Sequence, residues 1–157
     1  MKKIIRTLGL SLVVALAVSC SKDNDNGSLP EVSPSSISGT YKIIGATVPI
    51  GVDLNKDNIT SGDLFEERYN ICNFDNHITI SAKNFTDVKK GLSCVKDETD
   101  VVYDYVLDTT TKTLKLYKNS VLVETFTDVV KYFENTLQYE YYDPALKQKV
   151  SIQLTKV

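Results

Sequence analysis

Tryptophan is absent from this chain of 157 residues, and histidine and methionine occur once each. A single imidazole excludes the His clusters that hold zinc or transition metals. No G-x-S-x-G or H-E-x-x-H run is present to set up a nucleophile or a metal-bound water. A surplus of one charge is also lacking, since 18 basic residues face 20 acidic ones for a net charge of −2. Past residue 20 no basic block exceeds Lys89-Lys90, so the footprint of a nucleic-acid binder is missing. No apolar run approaches the roughly 20 residues that a membrane-crossing helix needs. His77 opens a strand-like stretch beside the turn-like Asp75-Asn76 and reads as a surface residue. Glu66-Glu67, and Asp104 with Glu124, are the carboxylate pairs from which an acid and a base would have to come, and nothing in their spacing brings them together. The expectation is a protein that is not an enzyme and has no cofactor.

The front of the chain has its own pattern. Met1-Lys2-Lys3 and Arg6 are positive, Leu8 to Val18 is apolar apart from Gly9 and Ser11, and Ala17-Val18-Ser19-Cys20 closes the run with small residues. That layout is an export signal. The stretch Ala17 to Cys20 resembles the bacterial lipoprotein signal, with Ala17 standing where Leu is usual. The resemblance implies removal of residues 1–19 and acylation of Cys20. From Ser21 to Ser36 the chain is polar and carries Gly, Pro and Ser, too poor in apolar surface to offset ordering entropy, so residues 20–36 read as a flexible tether. Asp23 and Asp25 resemble the acidic signals of surface-directed lipoproteins, and Ser21 is not the Asp that retains lipoproteins at the inner membrane. The expected location is the bacterial envelope, lipid-anchored at the outer membrane, on its periplasmic or surface face.

Residues 37–157 suffice for one domain with a real core. Alternation at period two dominates it. Val101, Tyr103, Tyr105 and Leu107 share a face opposite Asp104, and Leu114 and Leu116 flank Lys115. Leu137, Tyr139 and Tyr141 alternate with polar residues, as do Val150, Ile152 and Leu154. Gly39 to Val48 is β-rich and stops at Pro49, while Val121 to Phe133 is long enough for one bent strand or two short ones. Thr109–Lys112, Asn119-Ser120 and Asp143-Pro144 supply turns. Such spacing predicts an antiparallel meander with one polar face, closing on itself to remove its edges. Asp63 to Asn70 breaks the pattern. Asp63 and Glu66 stand in capping-box spacing and Phe65 and Tyr69 share a helical face, which predicts a short helix over one end of the sheet.

Three cysteines leave an even remainder once Cys20 is lipidated. Cys72 and Cys94 then read as a disulfide of an exported protein; the sharper alternative is a reactive or metal-binding thiol, with His77 the only imidazole to serve it. Asp53, Asn55 and Asp57, the Ile59 carbonyl and Asp63 are spaced like a calcium loop, in which alternating oxygens converge on a hard cation. Asn58 stands where Gly makes the turn, and Leu64 occupies the place of the twelfth-position carboxylate. The plainer reading is a polar loop built on Asx-turns, and any calcium would be structural. Nine tyrosines suit half-buried strands anywhere, yet Tyr103, Tyr105, Phe126, Tyr139 and Tyr141 together would line a cleft with apolar bodies and polar tips.

Taken in order, the lipoprotein signal, the Gly39-Thr40-Tyr41 opening, the Asp53-Asn55-Asp57 loop, the short helix, Cys72, the Asp75-to-Ile80 strand, Cys94 and the closing Leu154-Thr155-Lys156-Val157 resemble the lipocalin-like domain lipoproteins of bacterial envelopes. The resemblance covers residues 37–157. Lipocalins proper carry G-x-W in the first strand, the Trp lying under a basic side chain from near the end of the barrel. Here Tyr41 takes its place and Lys156 would be the partner. The resemblance implies a calycin-type barrel of about eight strands that binds a small hydrophobic molecule, or else serves the envelope as a structural or protein-interaction component with a filled barrel. A monomer is expected, its membrane contact made through the lipid.

Overall fold

Alternating β-branched and aromatic side chains on a pleated strand present one apolar face, and nearly the whole chain from Gly39 onward uses that geometry. The structure is a computed structural model that describes residues 30–92, 94 and 98–157. Cys20 and residues 1–19, which read as an export signal, lie outside the described residues. The strands are β1 (Gly39–Val52), β2 (Ser61–Asp63), β3 (His77–Ile80), β4 (Asn84–Val88), β5 (Val101–Asp108), β6 (Thr113–Lys118), β7 (Val121–Lys131), β8 (Thr136–Asp143) and β9 (Gln148–Lys156), with one short helix, α1 (Ile71–Phe74). Every pairing is antiparallel from β3 through β9, and β1 pairs with both β3 and β9. The sheet therefore closes into an eight-stranded barrel of β1 and β3–β9. The extra strand β2 lies on the far half of β1, at Thr47↔Asp63 and Val52↔Ser61. Among the described residues no helix is long and apolar enough to cross a membrane.

The first strand runs past Pro49. Proline cannot donate to a ladder and is confined to edges and irregularities. Here the register slips between Thr47 and Val52, and the side chain of Gln148 stands in for a strand partner. The Ile50 N–H donates to Gln148 Oε1 at 3.2 Å and Gln148 Nε2 donates to the Ile50 carbonyl at 3.0 Å. Asn119 and Ser120 both have positive φ, 51° and 64°, the two-residue hairpin geometry that matches strand twist. β7 is one strand bent at Asp128, where φ is 51° and the register shifts between Thr127 and Val130.

The helix is not where the capping-box spacing places it. Residues 64–70 are turns, and α1 begins only at Ile71. Arg68 and Asn70 adopt left-handed φ values of 53° and 46°, which break any helix begun at Asp63. Glu66 does not reach back to the Asp63 N–H; it accepts from Ser61 Oγ at 2.6 Å. Glu67 is drawn inward, buried, to accept from the N–H groups of Leu54 (2.7 Å) and Asn55 (3.3 Å). The segment still covers one end of the barrel through Leu64 and through the edge-to-face pair Phe65–Phe74, 5.1 Å between centroids. Cys72 and Cys94 form a disulfide, Cα atoms 5.3 Å apart, tying α1 to the loop before β5.

The opposite end, where β1 begins and β9 finishes, is filled. Val32 and Ile37 are buried in the core, so packing reaches back into the stretch that reads as tether. The Tyr41 hydroxyl donates to the Ile37 carbonyl at 2.9 Å, and the Lys156 ammonium lies 5.9 Å from the centre of the Tyr41 ring, as the sequence pairing of these two residues anticipates. Gly39 has φ +150°, and a Cβ there would collide with the Lys156 side chain. Ile80, Leu137 and Leu154 complete that floor.

Candidate functional site

Above the filled end the barrel holds a cavity of about 410 Å³. Its wall is built by alternation. Phe85 and Asp87 project inward from β4 and Lys89 follows at its end, Tyr103 comes from β5, Leu116 from β6, Tyr139 and Tyr141 from β8, and Ile152 from β9. Asn73 and Phe74 of α1 stand at the same end. β7 contributes through a bulge. Leu116 pairs with Glu124 and Tyr117 with Leu122, so Val123 is the extra residue. Past that bulge the pairing is regular, Leu116 opposite Glu124 and Leu114 opposite Phe126, so both Glu124 and Phe126 share the face that lines the cavity.

The aromatic rings form one connected cluster. Phe126 stacks on Tyr139 at 4.2 Å and 18°, and Phe85 and Tyr141 meet Phe126 at 5.7 and 6.4 Å. Tyr103 closes on Phe85 at 6.5 Å. Tyr139 is only 6% exposed, yet no described residue is within hydrogen-bonding distance of its hydroxyl. Among the described residues no buried, solvent-shielded side-chain oxygen or nitrogen is left without a partner, so that hydroxyl is reached through the cavity that the residue lines. Burial is the main cause that pushes the Tyr139 phenol well above its ordinary range, with Tyr141, Asp87 and Glu124 adding to it. Burial, then Asp143, Tyr69 and Glu124, do the same to Tyr141. Both therefore stay neutral, each offering an O–H donor and a lone pair.

Charge gathers at the mouth. Lys89 Nζ lies 2.7 Å from Asp87 and 3.0 Å from Glu98. Burial works against its charge, but the two carboxylates outweigh that and raise its pKa. Glu124 makes no ion pair among the described residues; its Oε1 accepts from the Thr125 N–H at 3.0 Å.

Of the ring residues singled out in the sequence, Tyr103, Phe126, Tyr139 and Tyr141 line the cavity. Tyr105 shares the inward face of β5 but not the wall, and its hydroxyl donates to the Ser81 carbonyl at 2.9 Å. Asp104 faces outward, its Oδ1 3.3 Å from Asn84 Nδ2, so it never meets Glu124. His77 alternates with buried Ile78 and lies on the outer face. In the Asp53–Asp63 loop the oxygens serve the loop itself. Asp53 Oδ2 accepts from the Asn58 N–H at 3.1 Å, Asn55 Oδ1 from Asp57 at 3.0 Å and Asp57 Oδ1 from Ile59 at 2.8 Å. Asp63 Oδ1 accepts from Phe65 at 2.8 Å. Among the described residues no three His, Cys, Asp or Glu side chains are grouped to hold a metal ion.

Of the polar wall residues, Asp87 and Lys89 are missing from the binding set that the sequence singles out, and Glu124 enters the sequence reading only as a carboxylate paired with Asp104. A signal for them exists: on any strand the residue two places from an inward ring is inward too, which relates Asp87 to Phe85 and Glu124 to Phe126. Compared with family models, with curated proteins and with solved structures, the chain gives no match.

Proposed function

We propose that this chain is a lipid-anchored protein of the bacterial outer membrane whose barrel binds a small hydrophobic molecule. The observation that carries the reading is the cavity of about 410 Å³, within the range of roughly 300–1,000 Å³ typical of small-molecule sites. Its apolar wall of rings and its few convergent polar groups are what such sites use for affinity and orientation. An eight-stranded barrel is just wide enough for one such guest. Anchoring rests on the sequence alone, on the signal that ends at Cys20.

The test uses N-phenyl-1-naphthylamine, a neutral apolar dye whose fluorescence rises on leaving water. Saturable binding of one dye per chain is expected, and it is lost in Leu116→Trp, where the added ring fills the cavity while the β-sheet circular dichroism persists. No fluorescence rise with the intact protein, or equal binding by the filled variant, refutes the reading. In the native host, Cys20→Ala should move the protein out of the membrane fraction; retention there would refute the anchor.

A further inference from the structure

Resting on the cavity reading above, the ligand's chemistry follows from how the cavity's charges are spent. Among the described residues the one cation in the wall, Lys89, is held by Asp87 at 2.7 Å and Glu98 at 3.0 Å. An anionic ligand would have to compete with both carboxylates. Glu124 is placed differently. It stands two residues before Phe126 in regular register, on the same face of β7, and lines the cavity, and among the described residues its second carboxylate oxygen has no hydrogen-bond partner. A carboxylate facing an apolar wall is costly unless a donor meets it. The neighbouring surfaces suit one kind of donor. The rings of Tyr103, Phe126, Tyr139 and Tyr141 offer faces that attract a cation, and the Tyr139 hydroxyl, on a residue 6% exposed, opens into the cavity with no hydrogen-bond partner among the described residues.

We propose that the cavity selects molecules with an aromatic or aliphatic body and a protonated amine, the ammonium donating to Glu124 while the body packs among the rings of Phe126, Tyr139 and Tyr141. The phenols then serve as further acceptors for the ammonium. Nothing covalent is required; an aqueous ammonium exchanges its water for a carboxylate, phenol oxygens and ring faces. Charge-assisted bonds of this kind are the strong ones.

Three indoles that differ only at the end of the side chain separate the possibilities, namely tryptamine, indole-3-ethanol and indole-3-propionate, titrated calorimetrically into the full purified chain. Tryptamine should bind about 10-fold or more tighter than the alcohol, the scale of one charge-assisted bond, and the propionate should be weakest. In Glu124→Gln the amine-to-alcohol preference should collapse towards one while the thermal midpoint holds. Equal binding of amine and alcohol, a preference for the propionate, or a preference unchanged in Glu124→Gln overturns the proposal. If the neutral naphthylamine dye still binds in those cases, hydrophobic binding survives and only the amine selection falls. If the dye fails as well, both fall.

Discussion

Tyr41 does at one position what several residues do elsewhere in the barrel. Its ring is buried at 1% exposure in the filled end, its hydroxyl donates to the Ile37 carbonyl at 2.9 Å, and Lys156 covers it. Burial raises the phenol's pKa, so the proton that makes the hydrogen bond stays in place across the ordinary pH range. Gly39, two residues earlier, has φ +150°, a backbone conformation that side chains rarely adopt, and it leaves room for the end of Lys156. The two parts of Tyr41 are separable by mutation. Tyr41→Phe removes the hydrogen bond and leaves the Ile37 carbonyl unpaired, costing about 1 kcal/mol. Tyr41→Ala removes the ring and opens a void, costing about 3–5 kcal/mol by the usual scale for buried aromatics. Urea unfolding of both variants checks this, and a Phe variant as damaged as the Ala variant would mean that the hydrogen bond, not the packing, holds this end.

Elements were legible in the sequence where alternation is clean and where turns name themselves. β5, β6, β8 and β9 show apolar residues at every second position, and Asn119-Ser120 is a tight hairpin. What escaped reading has a common cause: backbone conformations that leave no mark on residue type. The left-handed Arg68 and Asn70 convert a helix-like run into turns. The Val123 bulge puts Leu122 opposite Tyr117 and so breaks the alternation that runs through Glu124 and Phe126. β4 was hidden because Asp87 sits on its inward face, where an apolar residue is the usual sign of a strand. The cavity was half legible: alternation names its rings, and the same alternation sets Asp87 and Glu124 beside them only once Phe85 and Phe126 are known to point inward. The β5–β6 turn shows what an element owes to one side chain. Asp108 Oδ1 accepts from the N–H groups of Thr110 (2.9 Å) and Thr111 (3.1 Å). The Thr111 bonds chiefly, then those of Thr110 and the charge of Lys115, hold its pKa below the ordinary value of 3.8. A depressed carboxylate stabilises the fold above its unfolded-state pKa, and that contribution is lost as pH falls through the lower folded value. Thermal melts from pH 6 downward should therefore show an acid-side loss beginning near pH 4 that is smaller in Asp108→Asn. An identical acid limb in the variant would remove Asp108 from the account.

At the scale of the molecule, the two ends of the barrel differ in what they are made to do. The end with Val32, Ile37 and Tyr41 is packed with buried side chains, and the end with α1 opens into the cavity. A disulfide is placed at the second. Cys72 and Cys94 are separated by 22 positions, and closing a loop of that size restricts the unfolded chain by roughly 3 kcal/mol in the chain-entropy model. The bond joins α1, which carries the cavity residues Asn73 and Phe74, to the segment that precedes β5. Its loss should therefore act twice, on global stability and on the shape of the mouth. The double variant Cys72→Ala with Cys94→Ala should unfold at lower urea by about that amount, and amide exchange should rise first in the α1 segment, while the Tyr41 end keeps its protection. Naphthylamine dye binding should weaken more than the bulk stability alone accounts for, because two wall residues are freed. A variant that loses stability evenly, with exchange raised as much around Tyr41 as around Asn73, would show that the bond tightens the barrel as a whole and does not shape the mouth.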